Sequence, residues 1–519
     1  MKSVSIPSLV RTLLLALLFA LAAVNAPAQA PGDSPAPNPA DLQSGFDAPL
    51  PGSTAGSAPG GPGAGAGTGT GEGGSPAPGA VPEGGFSDAF QLPAGALAEE
   101  AGPEEAAPSR WSLNGFLRLD GAYNYAHEAP APGQTDWRGL SKLRTTAQLE
   151  LTWEPAQRWK VFVSGQANRD FAYQLHGEEH YTPQVLDAYQ QETELREAYV
   201  LGTPLPSLDI KVGRQIVVWG KSDNIRVVDV LNPVDLREPG LTDLEDLRLP
   251  VAMSKVSYYV GAWGLSAIAV HEMRFSKLPV PGSDYFPPGT PFPPDEVPAN
   301  GGRNTEWGAS LSGIFSGWDL AFYWANFYND DFYVADADND ASNGKQAVRR
   351  HARLHMGGVA GNVALGNWLL KSELARFTGL RFANLPRHSF TRIDGLVGVE
   401  YAGITDTTLA FEASDRHLLD HEPLLLQPPD QQLRDVNQYV LSYRGSYLRE
   451  KLDVVGVLSA FGARGEEGTL QRYQLTYELA AALDGTLGVL IYTAGKGGNF
   501  LLVNAKDNDR AFFELKWSF

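Results

Sequence analysis

Read at a period of two, the stretch from Arg144 to Trp153 separates into two chemically opposite faces. Thr145, Ala147, Leu149, Leu151 and Trp153 fall on one side, and Arg144, Thr146, Gln148, Glu150 and Thr152 on the other. Side chains alternate across a β-strand, so this pattern describes a strand with one greasy and one strongly polar face. Two architectures bury such a face. A sandwich presses it against a second sheet, whereas a membrane barrel turns it to hydrocarbon and keeps the polar side for the interior.

The spacing of similar segments separates the two. From Trp111 onward they recur near 112–124, 141–153, 159–171, 192–202, 207–219, 250–261, 263–274, 303–315, 317–329, 350–363, 366–378, 391–403, 406–415, 434–448, 451–462, 469–482, 484–494 and 508–519. Gaps such as 125–140, 172–191, 220–249 and 275–302 alternate with ones as short as Ala262, Ser316 and Leu483. Short turns at one end and long loops at the other are the pattern of an outer-membrane barrel. The expected fold class is all-β: a transmembrane antiparallel β-barrel over 109–519, of about 18 strands with about 16 as the alternative count. Trp111, Trp153, Trp159, Trp263 and Trp318 lie at strand ends, mostly beside short turns, as an interfacial girdle requires.

The two ends of the chain agree. Lys2 and Arg11 flank an apolar run, Leu13 to Val24, that is short for a membrane span, and Ala28-Gln29-Ala30 has the form of a cleavage site. Residues 1–30 are therefore expected to be a signal peptide of a Gram-negative exporter. Residues 31–108 contain no Lys or Arg and ten acidic residues within a Pro-, Gly- and Ala-rich composition, which predicts a disordered periplasmic linker. It is either a plain tether or a docking segment for a periplasmic partner. At the other end Phe513, Leu515, Trp517 and Phe519 share one face of a last strand that stops on an aromatic. Trp517 and Phe519 are read as the signal taken by the barrel-assembly machinery. The expected location is the cell outer membrane, with its lipid against the greasy face.

Composition removes several function classes. A formal charge of −19 argues against nucleic acid as a partner, and the lack of cysteine removes disulfides, thiolate metal sites and a Cys nucleophile. No catalytic, metal or cofactor site is expected. The Asp336–Asp340 run has the aspartate spacing of a calcium loop, but Ala341 and Ala347 stand where Gly and the bidentate Glu belong. His176 and His180 lack the zincin arrangement.

The most distinctive stretch is Val212-Gly213-Arg214-Gln215-Ile216-Val217-Val218-Trp219-Gly220-Lys221-Ser222-Asp223, followed by Asp229-Val230-Leu231-Asn232-Pro233-Val234-Asp235-Leu236-Arg237 and preceded by Leu195-Arg196-Glu197-Ala198-Tyr199-Val200. It resembles a proteobacterial, porin-like outer-membrane family known only as a domain of unknown function; the likeness is sharpest over residues 192–275, continues more loosely to the C-terminus and does not touch the linker. The resemblance implies a barrel in the outer membrane and brings no catalytic residues.

The residues suggest more. If Leu201 faces Ile210 across the 192–219 hairpin, Glu197 faces Arg214 on the more apolar face, where an unpaired charge is costly, and a cross-strand pair is expected; a β-bulge at this point is the alternative. Arg196, Lys211 and Gln215 then share the polar face. With Arg144 and Glu150 they are expected to line a pore. The 220–249 loop, carrying Asp223, Arg226, Asp229, Asp235 and Arg237, is expected to fold inward and narrow it. The expected function is a pore or transporter for small or amphipathic solutes, not an enzyme. A rim-active hydrolase and a loop-plugged structural or adhesive barrel are the alternatives.

Overall fold

The computed structural model describes residues 110–519 except 131–133, 243–246, 287–291, 337–346 and 496–499. The expected signal peptide and linker lie outside the described residues, as do all of the calcium-like run but Asp336 and the loop acids Asp243, Glu245 and Asp246.

Among the described residues eighteen strands form one closed antiparallel sheet, each bonded to the next and β1 bonded to both β2 and β18. They are β1 (Trp111–Asn124), β2 (Gly139–Ala156), β3 (Trp159–Asp170), β4 (Gln191–Leu205), β5 (Leu208–Gln215), β6 (Val251–Val260), β7 (Trp263–Val270), β8 (Glu306–Phe315), β9 (Trp318–Asp336), β10 (Ala347–Leu365), β11 (Trp368–Leu380), β12 (Phe390–Ile404), β13 (Thr407–Leu418), β14 (Asp435–Tyr447), β15 (Leu452–Phe461), β16 (Gly468–Ala480), β17 (Leu483–Ala494) and β18 (Arg510–Ser518). Three short helices, α1 (Ala172–His176), α2 (Pro183–Tyr189) and α3 (Phe500–Ala505), sit in long loops. No described helix is long and apolar enough to cross a membrane. Each expected strand is present, and the count of eighteen replaces the alternative of sixteen.

Alternation sorts the two faces as expected. Leu113, Leu117, Leu149, Leu151, Leu265, Leu370, Leu441 and Leu487 are exposed on the outside. The outer aromatics gather at the short-turn end, where Trp111 stacks on Trp153 (5.0 Å), Phe315 on Trp318 (4.2 Å) and Trp368 against Tyr401 (4.5 Å). A two-sided belt would also need the other rim, where Tyr123 and Trp307 are exposed.

The inner face departs from the expectation of a uniformly polar lining. Along β6 to β14 it carries Val251, Met253, Ile268, Tyr323, Phe327, Leu354, Met356, Phe377 and Leu396, all buried in one apolar cluster. Strands β5 and β9 show why boundaries were misplaced. Ile216 to Trp219 reads as a strand because it is apolar, yet β5 stops at Gln215 and those residues leave the wall for the interior. β9 runs on to Asp336 because its extension pairs with β10 as far as Ala347.

The seam closes on the last residue. Gly115 and Phe519 exchange two backbone hydrogen bonds (2.9 and 3.0 Å). Higher on the same pair, Phe513 faces Gly121 across the strands, and its ring occupies the volume a Gly121 side chain would need: an added Cβ would lie 2.1 Å from the ring. An aromatic laid over a cross-strand glycine pins the register. Gly121→Val is expected to destabilise closure by about 1–3 kcal/mol through overpacking. The measurement is the temperature at which the detergent-folded barrel loses its compact electrophoretic mobility, which should fall.

Candidate functional site

Where β5 ends, side chains take over the hydrogen bonds of the wall. The Ile216 amide donates to Glu197 Oε1 (3.0 Å) and the Val217 amide to Asn232 Oδ1 (2.8 Å). Asn232, fully buried, donates in turn to the carbonyls of Gln215 (3.3 Å) and Leu249 (2.9 Å). Both roots of the loop are thereby tied to one amide side chain. Asp229 adds a second clasp, accepting from Arg226 (3.1 Å) and Arg248 (2.9 Å) and from the Trp219 amide (3.3 Å).

The ascending part of the loop, residues 216–231, packs inward. Val217, Trp219, Ile225, Val227, Val228 and Leu231 join the apolar cluster of β6 to β14, with Trp219 against Tyr323 at 5.1 Å. Its tip is held by two wall carboxylates. Glu373 on β11 accepts from the amides of Lys221 (2.5 Å), Ser222 (2.8 Å) and Val228 (3.3 Å). Glu412 on β13 accepts from the amides of Asp223 (3.1 Å) and Asn224 (3.3 Å) and from the Asn224 side chain (3.2 Å). Lys371 bridges Asp223 (2.7 Å) and Glu400 (3.0 Å), and Lys221 reaches Asp319 (2.7 Å).

The descending part is tied to other strands. Glu238 takes Lys142 (2.8 Å) and both terminal nitrogens of Arg144 (2.8 and 3.1 Å) on β2. Burial alone would raise the Glu238 carboxyl, but the charges of Arg144 and Lys142 hold it well below the usual carboxylate range. Arg237 pairs with Glu192 on β4 (2.7 Å) and with Asp235 (2.5 Å). On β17 the Tyr492 hydroxyl donates to the Pro239 carbonyl (2.5 Å), and Gly240 lies against Leu470 and Leu490. The loop thus bonds the β9–β13 wall with its tip and β2, β4 and β17 with its descending limb.

These contacts locate the expected site residues. Asp223, Arg226, Asp229, Asp235 and Arg237 are all engaged in acid–base pairs of the loop. Arg144 is inward but paired with Glu238 and Asp170. Glu150 is inward and accepts from Gln148 (2.7 Å). Lys211 is half-buried, with its ammonium 3.7 Å from the Tyr199 ring centroid. Gln215 is not on an open face: it is fully buried beneath the loop and donates to the Met253 carbonyl (3.1 Å).

The Glu197–Arg214 pair does not form. Ala198, not Glu197, stands opposite Arg214, because the hairpin pairs Leu201 with Lys211, one residue away from the expected register. That register is set near the turn, where the β4–β5 pairing shifts between Gly202 and Leu205. A separate bulge lies in β4: Val163 and Gly165 of β3 face Ala198 and Leu195, which leaves Arg196 and Glu197 opposite the single residue Ser164. Arg196 therefore does not share a simple alternation with Lys211. Glu197 serves the Ile216 amide, and Arg214 binds Glu272 and Glu194 (3.5 Å) instead. The bulge also carries Glu192 and Glu194 to Arg237, Arg274 and Lys277, pairs the sequence reading missed.

Glu373, Glu400, Glu412, Asp319 and Lys371 were missed as well. Their signal was present: charged residues at alternate positions in strands that are otherwise apolar on both faces, as in Leu370-Lys371-Ser372-Glu373-Leu374. Near the long-loop end Asp415, His417 and Asp435 bring possible ligand atoms within 4.8 Å of one another; His417 is hydrogen-bonded to Asp435, and Asp415 accepts from the Asn437 side chain.

Solved structures with a similar chain path include OccAB2 of Acinetobacter baumannii (10% identity, TM-score 0.46, covering 79% of this chain and 98% of that one). A BenF-like porin from Pseudomonas fluorescens Pf-5 (10%, 0.45, 79% and 97%) and OpdK of Pseudomonas aeruginosa with vanillate (10%, 0.44, 79% and 98%) are others. No curated protein matches the chain. The resemblance, sharpest over residues 192–275 and looser to the C-terminus, is matched by a family model: that of a protein family of unknown function, DUF1302, matches residues 120–519, and the chain belongs to that family.

Proposed function

We propose that this protein is a non-enzymatic outer-membrane channel that passes small or amphipathic solutes, with the 220–249 loop as its constriction. The observation that carries the reading is a loop bonded to strands on separate parts of a closed wall, above an inner surface that stays polar toward the short turns. There Arg118, Asp120, Gln148, Glu150, Lys160, Lys211, Lys255, Glu514 and Lys516 are half-buried rather than sealed. The exposed apolar hull supports placement in a lipid bilayer, since so many greasy side chains would be unfavourable in water. In this reading residues 1–30 direct export, 31–108 tether the barrel or dock a periplasmic partner, and Trp517 and Phe519 address the barrel-assembly machinery.

A second reading, a barrel plugged by its own loop, draws on the apolar cluster that joins residues 217–231 to β6–β14. Ion conductance separates the two. The mature barrel in planar lipid bilayers should give discrete single-channel steps; silent bilayers containing correctly folded protein would favour the plug.

Loop release gives a second test. Replacing both latching carboxylates (Glu373→Gln with Glu412→Gln) weakens charge-assisted bonds worth about 1.5–3 kcal/mol each. Larger and noisier channel currents are expected, with the barrel still folded by electrophoretic mobility. Identical traces would argue against a constriction. Phe519→Ala is expected to lower the yield of folded barrel in the outer membrane in cells.

A further inference from the structure

Register places an unusual row of side chains on the inner wall. Lys160 of β3 stands opposite Leu201 of β4, Leu201 opposite Lys211 of β5, and Lys211 directly opposite Lys255 of β6. Directly opposed side chains lie on one face about 5 Å apart, and like charges in that relation repel. Other inner cations of this barrel have carboxylates: Lys142 and Arg144 on Glu238, Lys221 on Asp319, Lys371 on Asp223 and Glu400, Arg510 on Asp284. Among the described residues neither Lys211 nor Lys255 has a carboxylate within ion-pair distance.

The nearby acids are occupied. Glu197 accepts the Ile216 amide (3.0 Å), Asp209 the Thr203 hydroxyl (2.7 Å) and Glu150 the Gln148 amide (2.7 Å). One step along the strands, the row is aromatic. Phe162 faces Tyr199 with ring centroids 5.3 Å apart, and the next position in that row is Gly213, which carries no side chain and lies close against the Ala198–Tyr199 backbone. Lys160 lies 5.7 Å from the Phe162 ring and Lys211 3.7 Å from the Tyr199 ring. All four strands turn these residues toward an interior in which Lys160, Phe162, Tyr199, Lys211 and Lys255 are only half-buried.

We infer that Lys211 and Lys255, with Phe162, Tyr199 and Leu201 beside them, form a binding site on the channel wall for an organic anion with an apolar body. The carboxylate or similar group supplies the direct ion-pair partner that the two ammonium groups lack, and the ring row receives the apolar part. This rests on the channel reading for its role in passage, but binding itself does not.

Benzoate and benzylammonium, matched in shape and opposite in charge, are the probes. In bilayers the intact barrel should pass benzoate in preference to benzylammonium by roughly tenfold, the scale on which a charged wall concentrates counter-ions. The double variant Lys211→Gln with Lys255→Gln should lose that preference, and Lys211→Arg with Lys255→Arg should keep it. Equilibrium dialysis of benzoate against the detergent-folded barrel reads the site without any current, and electrophoretic mobility reports that each variant is folded. Benzoate bound by the intact protein and not by the glutamine variant, in a barrel that carries no current, would uphold the site and remove the channel. A conducting barrel that neither prefers nor binds benzoate, or a folded glutamine variant that binds it as before, would overturn the site.

Discussion

Every strand in a closed sheet has a partner on both sides, and the remainder of this structure follows from that closure. An open sheet of eighteen strands would leave two edges of bare amides and carbonyls, which hydrocarbon cannot solvate. The Gly115–Phe519 exchange and the register from Phe116 to Asn124 against β18 remove both edges. With the backbone satisfied, the outer side chains are free to be apolar and the interior is free to hold charge.

Charge inside such a wall must be matched, and the 220–249 segment is the means. Wall carboxylates that face inward, Glu373 and Glu412, are each met by several loop donors. Buried cations meet loop acids, as Arg144 meets Glu238 and Lys371 meets Asp223. The loop's own apolar residues cover the greasy inner patch of β6–β14. Loop and wall are therefore complementary in both polarity and charge, which is why the segment lies inside rather than over the rim. Against that background, the opposed Lys211 and Lys255 stand out, since among the described residues neither has a carboxylate within ion-pair distance.

Much of the fold was legible before any coordinates. Period-two alternation and the sequence of short and long gaps yield eighteen strands, because both follow from backbone geometry that acts locally. The inward course of the loop was expected from its length and its place as the third long connection, where loops of porins often fold inward. The Glu197–Arg214 pair, also expected, does not form. An irregularity between Gly202 and Leu205 near the turn leaves the β4–β5 hairpin one residue from the simple register, and a separate bulge at Arg196–Glu197 breaks the alternation of β4. Likewise the apolar Ile216–Trp219 run is compatible with a strand, and only the competing bonds from Glu197 and Asn232 draw it off the wall.

What the sequence determined by itself is the set of strands, the apolar side of each, and the loop long enough to enter the barrel. These depend on the spacing of residue types within a few turns or strands of chain. Which carboxylate meets which amine was decided by tertiary structure alone. Asp319 and Lys221, or Lys211 and Lys255, become neighbours only once closure and register bring segments distant in sequence together, and a one-residue slip in register changes every such partner.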